Sequence, residues 1–298
     1  MESFDAPLTP PESVAIPARP ADGHKGTFGR VMVVAGSSTF TGAPFMTASA
    51  ALRAGAGQVR LMVGSSIHAI LAVKCTEIEV SPVPERPAGC LGLESHPEIA
   101  RTLADWATVA VVGPGMGRHP STSQLIYRLA TIDHPLVLDA DALSALSEDQ
   151  DALARLGAGG RARVVTPHPG EMSRLVEKPV SFVQSHRETL ALESARKWGA
   201  VVVLKGAHTV VASPDGRCAV DPHAVPALAT GGTGDVLAGI IGGLLAQGSE
   251  PFTAAVTGVF VHATAGRRAA RGLLSGLLAS ELLPAIPHAM QSLRDMGR

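Results

Sequence analysis

The chain has 298 residues, with 25 Lys+Arg against 26 Asp+Glu and a formal net charge of -1. That balance leaves no basic surface on which nucleic-acid or anionic-membrane binding could rest. Hydrophobic residues at 46% against charged residues at 17% exclude disorder of the whole chain, and no uncharged stretch supplies the ~18 consecutive apolar residues of a spanning helix.

Residues 1–23 are rich in Pro and aperiodic, which predicts an extended or disordered arm ahead of a single folded domain covering 24–298. The arm lacks the apolar core of a secretory signal, so a cytoplasmic protein is expected. Cys75, Cys90 and Cys218 form no CxxC pair and predict neither a disulfide framework nor a zinc site.

From Arg30 onward, short runs rich in Val, Leu and Ile alternate with stretches of helical character. The runs cover 30–35, 58–63, 108–112, 135–139, 163–166 and 200–205. Continuous apolar strands separated by helices predict an α/β fold with a mostly parallel central sheet and helices on both faces. In such a sheet, ligands bind beyond the carboxyl ends of the strands. The segments that follow the runs are AGSSTFTGA (35–43), GPGMG (113–117), DAD (139–141), TPHPGE (166–171) and KGAHT (205–209).

ATGGTGD (229–235) instead opens a helix whose large apolar residues are Val236, Leu237, Ile240, Ile241, Leu244 and Leu245. Gly239, Gly242 and Gly243 on its other side predict close backbone packing, since helix-interior glycine costs ~0.5–1 kcal/mol relative to Ala. Glycines at a helix start let N–H groups converge on an anion, where the helix dipole adds partial positive charge. Asp235 would repel bound phosphates, which suits a base that takes a hydroxyl proton during phosphoryl transfer. The bland alternative is a carboxylate placed to favour the helix dipole. A P-loop is excluded because no Gly-Lys pair occurs in the chain, and GPGMG does not match the dinucleotide fingerprint GxGxxG.

HKGTFGRVMVVAGS (24–37), TGA (41–43), RAGAGQV (53–59), GPGMG, LDADAL (138–143), TPHPGEMSRL (166–175), VLKGAHT (203–209) and LATGGTGDVLAGIIGGLLAQG (228–248) occur in that order. Together they resemble the ADP-dependent (S)-NAD(P)H-hydrate dehydratase family, over residues 24–283. The resemblance implies a ribokinase-like fold and repair of hydrated NADH and NADPH, with ADP phosphorylating the C6 hydroxyl and AMP and phosphate as by-products. It implies that Asp235 is the base and that Gly232, Thr233 and Gly234 cradle the transferring phosphate. It further implies that Lys205, Gly206, Ala207, His208 and Thr209 line the ADP, and that Ala43, Gly115, Gly117, His168 and Asp235 face the hydrated dinucleotide. Mg2+ carried by ADP and a homo-oligomer, a tetramer by family habit, are expected. No epimerase activity is expected, because the Pro-rich arm is too short for an epimerase domain.

Each role has a structural competitor. His168 lies between two prolines that fix a turn, Lys205 closes an apolar run as a strand-end lysine does, and His262 suits a satisfied interior histidine. Asp139 and Asp141 stay evenly open between magnesium or phosphate electrostatics and helix N-capping. Two rival functions remain: an ATP-dependent ribokinase-like kinase of a vitamin precursor or sugar, and a non-catalytic nucleotide sensor. GTGD alone does not separate them.

Overall fold

Each predicted apolar run forms a strand in the computed structural model, which describes residues 8–296. The strands are β1 (Arg30–Val34), β2 (Gln58–Gly64), β3 (Glu79–Val83), β4 (Val109–Val112), β5 (Leu136–Leu138), β6 (Arg163–Val165), β7 (Val201–Leu204), β8 (Val210–Ala212) and β9 (Cys218–Val220). They form one nine-stranded sheet in the order β3-β2-β1-β4-β5-β6-β7-β8-β9. Pairing is parallel from β3 through β7 and antiparallel at β7-β8 and β8-β9. The mostly parallel sheet therefore stands as expected, with β3, β8 and β9 additional to the predicted strands. Pro82 within β3 is tolerated because β3 pairs only with β2, at the sheet edge.

Alternation of side chains along the strands creates two cores. Val31 and Val33 join a cluster beneath the helices Gly42–Arg53, Thr233–Ala246, Pro251–Ala270 and Ala279–Met296. Met32 and Val34 point the other way, toward Ile99, Leu125, Met172 and Trp198. Both faces are covered, which explains why the strands read as continuous apolar runs.

The helix Thr233–Ala246 is buried along nearly its whole length, and its glycines explain how. A Cβ on Gly239 would run into the Thr47 carbonyl, and one on Gly243 would meet the Ala51 carbonyl at 2.6 Å. The expected close approach is thus made to the helix Gly42–Arg53.

The first seven residues of the predicted arm lie outside the described residues. From Leu8 to Gly23 the chain forms neither helix nor strand. Ala15 exchanges hydrogen bonds with the Thr257 hydroxyl, Val14 and Ile16 pack on the core, and Arg19 donates to the Gly55 carbonyl. Among the described residues no helix is long and apolar enough to cross a membrane.

The chain leaves β1 toward β2 and β3, then returns to place β4 on the other side of β1. This reversal opens a crevice at the carboxyl ends of β1 and β4, the location favoured for ligands in open α/β sheets. The Gly36 N–H donates to the Pro114 carbonyl at 2.9 Å and ties the two loops together there.

Candidate active site

The loops after β1, β4, β5, β6 and β7 converge with the start of the helix Thr233–Ala246. Gly115, at φ 65, lies so near the β1 loop that a Cβ would meet the Cβ atoms of Phe40 and Ala43 at 2.8 and 3.0 Å. After β5, Ala140 adopts φ 53 and ψ -114, a conformation that costs a non-glycine residue roughly 1–3 kcal/mol. It separates two carboxylates with different partners. Asp139 is buried and accepts from Lys205 Nζ at 2.8 Å, whereas Asp141 Oδ2 accepts from the Gly117 N–H at 2.9 Å.

Lys205 also lies 3.7 Å from Glu171. Burial alone would lower the ammonium pKa, but Asp139 and Glu171 outweigh it and raise the pKa, so Lys205 stays charged. Glu171 is raised, chiefly by burial and against the pull of Lys205. His168 caps the helix Pro169–Leu175: its Nδ1 accepts from the Gly170 and Glu171 N–H groups while Glu171 returns the bond to the His168 N–H. Burial, then the Lys205 charge, lowers the His168 pKa, so the ring is neutral with its proton on Nε2.

Asp235 sits in the first turn of its helix, where the dipole alone would favour the carboxylate. Its pKa instead rises to about 7, through burial first and then the Asp139 charge, with Asp141 and Glu171 adding to these and Lys205 opposing them. A group so placed exchanges protons near neutrality, which suits a base better than a helix-end carboxylate. Gly232 begins the helix at φ 92 and no side chain caps it; the Thr233 N–H donates to the Thr230 carbonyl at 3.4 Å, so an anion at the helix start would meet the Gly234 and Asp235 N–H groups.

Two cavities meet at this glycine loop. One of about 320 Å³ is lined by Lys205, Gly206, Ala207, Thr209, Thr233 and Gly234 and runs on along Val225, Leu228, Leu237 and Val259. The other, about 560 Å³ and more open, is lined by Phe40, Ala43, Gly115, Asp141, Gly232 and Asp235. Lys205, Gly206, Ala207, Thr209, Thr233 and Gly234 line the first chamber and Ala43, Gly115 and Asp235 the second, while Gly232, expected beside Thr233 and Gly234, lines the second, so that the loop Gly231–Gly232–Thr233–Gly234–Asp235 contributes to both walls.

Three expected site residues lie elsewhere. His208 is exposed and bonds the β8-β9 hairpin, its N–H to the His223 carbonyl at 3.0 Å. Gly117 reaches the wider chamber only through its bond to Asp141, and His168 stands beside Glu171, lining neither cavity. His262 donates Nε2–H to the Thr233 carbonyl at 2.9 Å, the satisfied interior histidine expected, and also lines the first cavity. Glu171, Asp221 and His223 were not singled out. The first lies inside TPHPGE and was legible as a capping box; the pair Asp221 and His223, bonded at 3.0 Å, enters the cavity wall through pairing of β9 that no local pattern announces.

The sheet order, the crevice and the loop-borne Asp235 define the class: the fold is ribokinase-like. The ADP/ATP-dependent NAD(P)H-hydrate dehydratase of Bacillus subtilis, crystallised with ATP and Mg2+, superposes with TM-score 0.78 at 30% identity, covering 93% of this chain and 94% of that one. A family model described as NAD(P)H-hydrate dehydratase matches residues 31–288, and the chain belongs to that family. It is 39% identical to the ADP-dependent (S)-NAD(P)H-hydrate dehydratase of Xanthomonas campestris over 91% of each chain. It is 43% identical to the bifunctional NAD(P)H-hydrate repair enzyme of Moorella thermoacetica over 94% of this chain, spanning about half (52%) of that relative's length.

Proposed function

We propose that this protein is an ADP-dependent dehydratase that returns the S epimer of NADH or NADPH hydrate to NADH or NADPH, yielding AMP and phosphate. The observation that carries the reading is the placement of Asp235 and Lys205 on opposite sides of the glycine loop, each lining one of two adjoining cavities.

ADP takes the narrower, more apolar chamber, with its terminal phosphate against the glycine loop Gly232 to Gly234 and the charge of Lys205. The hydrated dinucleotide enters the wider chamber past Ala43 and Gly115, so that its C6 hydroxyl meets Asp235. Asp235 takes the hydroxyl proton as the oxygen attacks phosphorus, and AMP departs. Hydroxide is a poor leaving group and phosphate a good one, so the ring nitrogen then expels phosphate. The hydrogen bond from Lys205 to Asp139 holds the ammonium near the transferring group.

Among the described residues no group of three or more His, Cys, Asp or Glu side chains is arranged to hold a metal ion. Magnesium is proposed as entering on the ADP phosphates, whose charge it neutralises when bound. A homo-oligomer working in the cytoplasm completes the reading.

The test is a time course of dihydronicotinamide absorbance with purified protein, NADH hydrate and magnesium, run with ADP, with ATP and with no nucleotide. Recovery that requires ADP, with AMP and phosphate formed in step, is the expected result. A stable phosphorylated product would favour the small-molecule kinase, and nucleotide binding without turnover of any acceptor would favour the sensor.

A further inference from the structure

The proposed reaction releases two protons from the hydrate, and Asp235 accounts for one of them. As the C6 oxygen attacks phosphorus, its proton passes to Asp235. When phosphate leaves, it takes the C6–O bonding pair, and the N1 lone pair forms N1=C6. The ring is then an iminium ion. Dihydronicotinamide appears only when a base removes a proton from C5, so that the C5–H pair becomes C5=C6 and N1 regains its lone pair. Asp235 already carries a proton at that moment, so the C5 proton passes either to the departing phosphate or to a second base facing the same chamber, and the chamber wall holds such a base.

Asp141 and Asp235 are the titratable side chains that line the chamber beside Phe40, Ala43 and Gly115. The other groups near the site lie off it: Lys205 lines the neighbouring cavity, and His168 and Glu171 pair with one another on the Lys205 side. Asp141 is held in place by the Gly117 N–H at 2.9 Å and by the Arg118 guanidinium at 3.9 Å, with its side chain 18% exposed. The strained turn at Ala140, itself in the chamber wall, separates Asp139 on Lys205 from Asp141 on the substrate side. Strain of this kind persists only where the surroundings hold it, and it gathers at working sites. The Asp141 charge is among those that raise the Asp235 pKa, so the two carboxylates lie within electrostatic reach of one another.

We propose that Asp141 is a second base, which accepts the C5 proton after phosphate has left. This assignment rests on the dehydratase reading given above.

A single-turnover experiment with Asp141→Asn separates the two proton transfers, since the amide oxygen can still accept from the Gly117 N–H. AMP formation reports phosphoryl transfer, and dihydronicotinamide absorbance reports loss of the C5 proton. In the wild type both should rise together; if NADH hydrate and ADP give no AMP with the wild type, the dehydratase reading itself fails and Asp141 is not at issue. In Asp141→Asn, one equivalent of AMP should form at close to the wild-type rate. Recovery of absorbance should slow by roughly 100-fold or more, the range for losing a general base. NADH hydrate carrying deuterium at C5 should show a larger isotope effect with the variant than with the wild type. Asp141→Glu, which keeps a carboxylate, should regain part of the rate, and it carries the test should the Asn variant fail to fold. Absorbance that keeps pace with AMP at the wild-type rate, or a parallel fall of both with no change in isotope effect, would overturn the proposal.

Discussion

Lys205 Nζ stands 2.8 Å from Asp139 Oδ1, although the two residues are 66 positions apart in the chain. Asp139 follows β5 and Lys205 follows β7, so the parallel sheet that carries both strands brings them together. The bond fixes an ammonium group beneath the glycine loop, where a Cβ on Gly234 would lie 3.3 Å from Lys205 Nζ.

Breaking this pair from one side should be costly. Asp139→Ala leaves a largely buried cation with Glu171 at 3.7 Å as its remaining carboxylate partner. A loss of about 3 kcal/mol is expected from urea denaturation, as for other buried pairs broken on one side. Adding Lys205→Met should restore part of that loss, because the uncompensated charge goes with it. A single variant as stable as the wild type would show that the pair contributes nothing to folding.

Asp235 links activity to stability with opposite signs. Asp235→Asn should lower turnover by roughly two or more orders of magnitude while ADP affinity holds, the pattern for loss of a base. Wild-type activity should rise with pH through about 7, where the carboxyl ionises. Because the folded value lies above the unfolded 3.8, the folded protein binds the extra proton between these values, and stability is lost as pH climbs through about 7. Above that value Asp235→Asn should therefore be the more stable protein, by at most about 4 kcal/mol at 1.36 kcal/mol per unit. Near the unfolded value the gain should vanish. Denaturation curves at both ends of the range check the sign.

His168 offers a way to separate capping from ligand contact. His168→Ala removes the cap of the helix Pro169–Leu175 and should cost about 1 kcal/mol, whereas His168→Asn, a strong N-cap residue, should recover most of it. If the imidazole also meets the dinucleotide, both variants raise KM for the hydrate alike. Recovery of KM together with stability in the Asn variant would confine His168 to the cap.

Gly239 tests the helix contact behind the site. Gly239→Ala directs a methyl group at the Thr47 carbonyl and should destabilise by about 1–3 kcal/mol through overpacking, read as a lower Tm. Gly231→Ala, with nothing within 4 Å of its Cβ position, is the matched control and should leave Tm nearly unchanged.

Much of the architecture was legible from residue pattern. Strands such as VVVL in β7, buried on both faces, must be apolar throughout, and that continuity marks them. β3 lies outside the apolar runs because EVSPV carries a charge and a proline that only an edge strand accepts, and β9 because CAV, at the opposite edge, is largely exposed and forms no apolar run. The loop residues after the strands were legible too, since glycine beside a strand end signals close approach. Ala140 carried no such signal. Its strain is invisible in an alanine, and so was the division of labour between the carboxylates it separates.

The sequence by itself determined the fold class and the family, because strand periodicity, glycine placement and ordered motifs are local properties written into contiguous residues. The tertiary structure alone decided which charges share a space. Asp139 raises the proton affinity of Glu171 and of Asp235, and Lys205 opposes both, only because separate strand ends converge there, and burial strengthens those interactions beyond anything spacing along a chain can express. The split of the site into two chambers is of the same kind, since it depends on where one glycine loop lands between the β1 and β7 ends of the sheet.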